Sequence, residues 1–204
     1  LKYKLKWENT EKAFLTEDEL EALANLQLVE DSKKFHHRNI YVFAAYAGGL
    51  RISDICLLKW ENFDGEHILV STMKTGSVVS IKLPKKALDI INLYWKEDQK
   101  PSDFIFPFLD KETDYSNPKL LFKAISSITA YTNTDLKDLA KLAGITQKLH
   151  FHTSRHTWAT RALRKGMRIE YVSKLMGHSS IKTTQVYTKI VNEELDKAMD
   201  VFND

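Results

Sequence analysis

The chain has 204 residues, 43% of them hydrophobic and 28% charged, with 30 Lys and Arg against 27 Asp and Glu for a formal net charge of +3. That length fits one large domain or two small ones with a real core, and no apolar run approaches the ~20 residues a membrane span needs. Cys56 is the single cysteine, which excludes an internal disulfide and suits a reducing cytoplasm, and so small a basic excess leaves any nucleic-acid argument to the placement of particular side chains.

In chain order, Leu1–Asn9 is a basic-aromatic lead-in, and with Leu rather than Met in first place it reads as the end of an interdomain linker. A helix opens at Thr16, with Glu19 completing a capping box and Leu15 and Leu20 at the positions of a hydrophobic staple. A second helix runs from Ser32 to Tyr46 and stops at Gly48-Gly49, and a third, short one follows from about Ser53. His67–Met73 and Val78–Leu83 are β-rich runs separated by Lys74-Thr75-Gly76-Ser77, which predicts a hairpin. Pro84 starts a helix reaching about Trp95, and Pro101–Pro118 reads as loop with a short apolar run at Phe104-Ile105-Phe106. The rest reads as helices over Lys119–Tyr131, Thr134–Ala143, Thr153–Lys165, Ile169–Met176, Ile181–Tyr187 and Val191–Phe202. The expected fold is mainly α with one small antiparallel β-hairpin or sheet.

Four segments could carry chemistry. Arg51 follows Gly48-Gly49 at the start of a helix, where a close backbone approach and unpaired N–H groups suit an anion; the plainer reading is a surface Arg paired with Asp54. Lys74 sits on the hairpin turn, able to meet a phosphate as a point charge or simply to be solvated. His152 and Arg155 lie three apart at a helix start that Thr153 is expected to cap, so they share a face at the positive end of the helix dipole. His156 reads as a core histidine satisfied by a backbone carbonyl. His178 follows the helix-ending Gly177, and Tyr187 comes nine residues later. A zinc site on His150, His152 and His156 is the weaker reading, because no second Cys, HExxH pattern or carboxylate stands at ligand spacing. His36-His37 reads as a solvated pair on a polar helix face. Two Arg, one Lys, two His and one Tyr are together what metal-free phosphoryl transfer to a protein hydroxyl requires, since guanidiniums hold the non-bridging oxygens while Lys and His move protons.

These segments resemble, in order and spacing, the tyrosine recombinase family, the integrases and resolvases of phages, transposons and chromosome-dimer resolution. The residues that carry the resemblance are Gly-Leu-Arg-x-Ser-acid at Gly49–Asp54, Lys-Thr-Gly at Lys74–Gly76, His-x-x-Arg-His-Thr at His152–Thr157, and Leu-Met-Gly-His-Ser-Ser running on to Tyr187. The resemblance implies the integrase catalytic-domain fold over residues 14–190, with 1–13 a linker remnant and 191–204 a C-terminal helix that docks on a neighbouring subunit. It implies a site-specific recombinase in which Tyr187 attacks a DNA strand to give a 3′-phosphotyrosyl intermediate without metal, ATP or cofactor. Arg51 and Arg155 would clamp the phosphate, Lys74 would act as general acid, His152 and His178 would handle protons and stabilise the oxyanion, and Asp54 would brace the first box.

The implied partners are double-stranded DNA at recombination sites, a homo-tetramer of the full-length protein on that DNA, and accessory DNA-bending proteins, with no membrane. The implied location is the cytoplasm, at the nucleoid when acting on DNA. Ala47-Gly48-Gly49 departs from the commoner Thr-Gly, and Thr153-Ser154 from Asp-Leu, a change expected to loosen the hold on Arg155. The competing functions are a type IB topoisomerase-like enzyme and a degenerate integrase-fold module that only binds DNA.

Overall fold

The structure, a computed structural model, describes residues 13–188. The expected linker remnant up to residue 12 and the expected terminal helix Val191–Phe202 lie outside the described residues. Within them, seven α-helices and one two-stranded antiparallel sheet follow one another as α1 Glu17–Ala24, α2 Lys33–Tyr46, α3 Ile52–Cys56, β1 His67–Ser71, β2 Val78–Lys82, α4 Lys85–Asn92, α5 Pro118–Leu142, α6 Phe151–Arg164 and α7 Ile169–Leu175. Short 3₁₀ turns lie at Trp60–Asn62 and Ile181–Thr183.

Helix α1 starts where the capping box places it: Glu19 N donates to Thr16 Oγ1 at 3.2 Å, and Thr16 N donates to the Glu19 carboxylate at 2.8 Å. Leu15 and Leu20, the staple pair, are both fully buried. Central helix α2 packs against α1, α4, α5 and α6, and buries an unbroken run from His37 to Ala45. A helix apolar on one side only would show its periodic stripe; one wrapped by neighbours is buried all round. Tyr41, Phe43 and Phe106 are fully enclosed in this core, each worth about 1.5–3 kcal/mol of burial by ordinary transfer energies. The hairpin pairs His67 with Lys82 and Ser71 with Val78, its inner face (Ile68, Val70, Val79, Ile81) joining the same core.

Several boundaries differ from the sequence expectation. The predicted helices Lys119–Tyr131 and Thr134–Ala143 are one helix, α5. No Gly or Pro interrupts the stretch, Thr134 Oγ1 bonds back to Ala130 O at 3.1 Å, and Asn133 Oδ1 accepts from Phe151 N at 2.8 Å, so the polar residues that suggested a break serve the helix and its neighbour. Helix α4 ends at Asn92 rather than near Trp95, and Pro84 is its N-cap. Helix α6 begins at Phe151 with His150 as N-cap; Thr153 is inside the first turn, its hydroxyl donating to His150 O at 2.6 Å. The stretch before Tyr187 is a 3₁₀ turn at Ile181–Thr183, not a continuous helix. His37 is buried, its Nδ1 2.7 Å from Asp135 and its ring stacked on Phe108, because α5 covers the face expected to be solvated.

Candidate active site

The end of α2 sets the first element of the site. Gly48 and Gly49 both have positive φ, +68° and +62°, which glycine adopts without strain. A Cβ on Gly49 would lie 3.2 Å from Arg155 Cα and Cγ, and one on Gly48 would lie 2.7 Å from Ile81 Cδ1. The two glycines therefore do separate work: Gly48 lets the sheet approach and Gly49 lets α6 approach. Arg155 is 3% exposed, its Nη1 donating to Gly49 O at 2.6 Å and its Nη2 to Met176 O at 2.5 Å. One guanidinium thus joins the end of α2 to the end of α7. The expectation that Thr153-Ser154 loosens this arginine is overturned, since main-chain carbonyls hold it from outside its own helix.

Arg51 caps α3 and is partly exposed, with Nη1 buried, making no hydrogen bond and 3.9 Å from Asp54 Oδ2. Asp54, 3% exposed, turns its other oxygen to the hairpin and accepts from Met73 N at 3.0 Å. It braces the arm carrying Lys74 as well as its own box. Burial pushes the Asp54 carboxyl up, against the Met73 N–H bond and the Arg51 and Arg155 charges that pull it down.

Lys74 is exposed on the turn between β1 and β2. The turn is stitched by Thr72 Oγ1 to Thr75 Oγ1 at 2.7 Å and by Thr72 N to Ser77 O at 2.9 Å. It is also docked, for Thr75 Oγ1 donates to Gly177 O at 3.2 Å. Gly177, at φ +62°, lies so close that a Cβ would come 3.1 Å from Thr72 Cγ2. The Lys-Thr-Gly turn and the Gly-His segment therefore touch through backbone and hydroxyls. His178 emerges from that contact half-buried, its Nδ1 2.8 Å from Thr184 Oγ1.

Tyr187 is 3% exposed, its ring in a small second core with Trp158, Ala159, Ala162, Val172 and Met176. Its Oη lies 2.8 Å from His156 Nδ1. His156 is buried, as expected from its apolar neighbours, but its Nδ1 meets a tyrosine hydroxyl where a backbone carbonyl was expected. It was legible only as the residue after Arg155 and four after His152; no local signal pairs it with a tyrosine 31 positions on. His152 is exposed on the first turn of α6, and its ring meets that of His156 at 4.7 Å with the planes perpendicular. His152 and Arg155 share a face as expected, but one is at the surface and the other inside.

The electrostatics of the cluster run through Tyr187. Burial raises the phenol to about 12, while Arg155 and then Arg51 pull it down. Arg155 falls to about 10, through burial and the neighbouring Arg51 charge, opposed by Tyr187 and Asp54. At neutral pH the guanidinium is charged and the phenol protonated. Of the six residues singled out by sequence, Arg51, Arg155 and Tyr187 lie within electrostatic reach of one another, Lys74 and His178 are joined through Thr75 and Gly177, and His152 borders them through His156. Among the described residues, no group of three or more His, Cys, Asp or Glu side chains is placed to hold a metal ion.

Residues 13–194 match the phage integrase family. The tyrosine recombinase XerA of Pyrococcus furiosus is 31% identical over 192 residues, 93% of this chain and 61% of that protein. A tyrosine recombinase of Thermosipho africanus is 29% identical over 183 residues, 89% of this chain and 58% of that protein. The chain therefore spans about three fifths of the length of these relatives. The crystal structure of XerA recombinase superposes with a TM-score of 0.66 at 24% identity, covering 96% of this chain and 67% of that one. That of XerH recombinase in a post-cleavage complex with its difH substrate gives 0.67 at 16% identity, covering 96% and 55%. At these identities the two structures establish the fold.

Proposed function

The chain belongs to the phage integrase family, the tyrosine recombinases, and from that premise we propose that it is the catalytic domain of a site-specific DNA recombinase with Tyr187 as nucleophile. The observation that carries this reading is that the buried Tyr187 sets its Oη 2.8 Å from His156 Nδ1, with the Arg155 and Arg51 charges favouring ionisation of a phenol that burial alone would hold protonated. A tyrosine that serves only packing gains nothing from two cations; a phosphoryl acceptor needs them beside the oxygen that becomes charged.

In this mechanism Arg51 and Arg155 hold the non-bridging oxygens of the scissile phosphate. The carbonyls of Gly49 and Met176 fix the Arg155 fork and leave its other N–H groups for the anion. Tyr187 Oη attacks phosphorus and becomes bonded to the 3′-phosphate, the bond from phosphorus to the 5′-oxygen breaks, and Lys74 gives the leaving oxygen its proton. His178 donates to a non-bridging oxygen, and exposed His152 exchanges protons with solvent. The reverse attack by a 5′-hydroxyl of another strand reseals DNA, so no ATP, metal or cofactor is consumed. The DNA site is duplex, and a tetramer of the full-length protein brings two such sites together.

The test is a suicide substrate nicked beside the cleavage point, incubated with the full-length protein. Wild type should form a covalent protein–DNA band and Tyr187→Phe should not; a band in the variant refutes the nucleophile. Relaxation of a plasmid lacking any specific site, with no strand transfer between two sites, would instead favour a type IB topoisomerase-like activity.

A further inference from the structure

Tyr187 presents a problem of proton removal. A phenol whose ring is 3% exposed and packed among Trp158, Ala159, Ala162, Val172 and Met176 has little bulk water against it, yet it must shed a proton as it attacks. Side chains within hydrogen-bond reach of that oxygen therefore matter more than those merely in the neighbourhood. His156 Nδ1 is 2.8 Å from Tyr187 Oη, with the ring centroids 5.6 Å apart. His156 is itself 9% exposed, and its ring abuts the exposed His152 at the surface.

We infer that His156 is a further catalytic residue, the immediate acceptor of the Tyr187 proton during strand cleavage. The inference rests on the reading of Tyr187 as nucleophile and deepens it. For that transfer the protonated phenol donates to Nδ1 of a ring that carries its own proton on Nε2. On attack, the oxygen–hydrogen bond of Tyr187 breaks as the oxygen–phosphorus bond forms, and the proton passes to Nδ1, making His156 an imidazolium. When the 5′-hydroxyl of the incoming strand expels Tyr187, the same proton returns to the phenolate, so the acceptor ends each half-reaction as it began.

The placement on α6 is specific. One residue before His156, Arg155 aims at the carbonyls of Gly49 and Met176, so the helix presents a phosphate-clamping group and a base on adjacent positions. The charged and titratable groups facing the pair are Arg155 and His152 on the same helix and Arg51 at the N-cap of α3, with Asp54 acting on Arg155 behind them. The Arg155 and Arg51 charges favour ionisation of the phenol. That effect brings the phenol closer to the imidazole in proton affinity, where transfer is more efficient.

Two measurements decide it. Long-range ¹H–¹⁵N correlation spectra of the wild-type protein report the tautomer of His156: Nδ1 without hydrogen and Nε2 with it is the expected result, and a neutral ring with its proton on Nδ1 overturns the inference. In single-turnover cleavage of the suicide substrate by the full-length protein, His156→Asn keeps a polar group near the Nδ1 position but cannot titrate. Its rate should fall about 10²-fold or more, and the fall of the wild-type rate toward acid, as His156 becomes protonated, should vanish. A variant within about threefold of wild type with the same pH profile refutes the assignment. If the variant does not fold, the wild-type tautomer alone decides. Tyr187→Phe run beside it separates the two claims: a covalent band there sinks the nucleophile, whereas a dead Tyr187→Phe beside a normal His156→Asn sinks only the base.

Discussion

Gly49 and Arg155, 106 positions apart in sequence, are in backbone contact: Gly49 accepts from the Arg155 guanidinium at 2.6 Å, and any Cβ on Gly49 would press to 3.2 Å against Arg155 Cα. The glycine and the arginine form one structural unit, so the backbone at the end of α2 sets the position of a side chain on α6.

Gly49→Ala should therefore destabilise by more than its backbone alone accounts for. The left-handed conformation costs a non-glycine residue roughly 1–2 kcal/mol. Gly76 serves as control, having a similar φ of +65° with nothing within 4 Å of a built Cβ. Urea denaturation should show Gly49→Ala less stable than Gly76→Ala, with cleavage lost only in the former. Equal losses would mean that Arg155 is not positioned by Gly49.

Arg155→Lys should fail although charge is kept. A single ammonium cannot span Gly49 O and Met176 O while presenting a planar fork to phosphate. Removing one preorganised donor to a transition-state oxyanion typically costs about 2.7–4 kcal/mol, roughly 10²–10³ in rate. Single-turnover cleavage at saturating DNA measures it, and Arg51→Lys should behave alike. Variants within about threefold of wild type would remove both residues from the site.

Asp54 separates stability from activity. Its carboxyl is raised from 3.8, mainly by burial, so the folded state binds the proton more tightly than the unfolded chain. The contribution of this group to stability is then fully present at low pH, is lost as pH rises from the unfolded value through the folded one, and stays lost above it. Asp54→Asn removes that penalty and keeps an acceptor for Met73 N, so at pH 7 it should be as stable as wild type or more so, yet cleave DNA more slowly because Arg51 loses its counter-charge. Asp54→Ala should lose about 1–3 kcal/mol by stranding the Met73 N–H. The difference in melting temperature between Asp54→Asn and wild type across pH 3–8 checks the signs; Asp54→Asn markedly less stable at pH 7 would reverse them.

Strand cleavage should proceed unchanged in EDTA. In the proposed mechanism Arg51, Arg155 and Lys74 would supply the positive charge that divalent ions supply in two-metal phosphoryl transfer. The measurement is covalent-complex yield with excess chelator; activity that vanishes and returns with added Mg²⁺ would refute it.

Local signals in the sequence were enough to place α1, α2, the hairpin and the Gly-terminated helices, because caps, glycines and periodicity act over a few residues. The long α5 was missed because Thr132, Asn133 and Thr134 resemble a break until Phe151 N is seen to need the Asn133 carbonyl. The six candidate residues were legible as candidates because each sits in a motif read along the chain. Their connections were not. That Asp54 grips the hairpin, that Thr75 docks on Gly177 O and that His156 meets Tyr187 are contacts between segments 19 to 102 residues apart. Periodicity carries no record of them, since they depend on how close two backbones come once the core has packed. Sequence determined which chemical groups the protein owns; burial and glycine-permitted approach decided which of them touch.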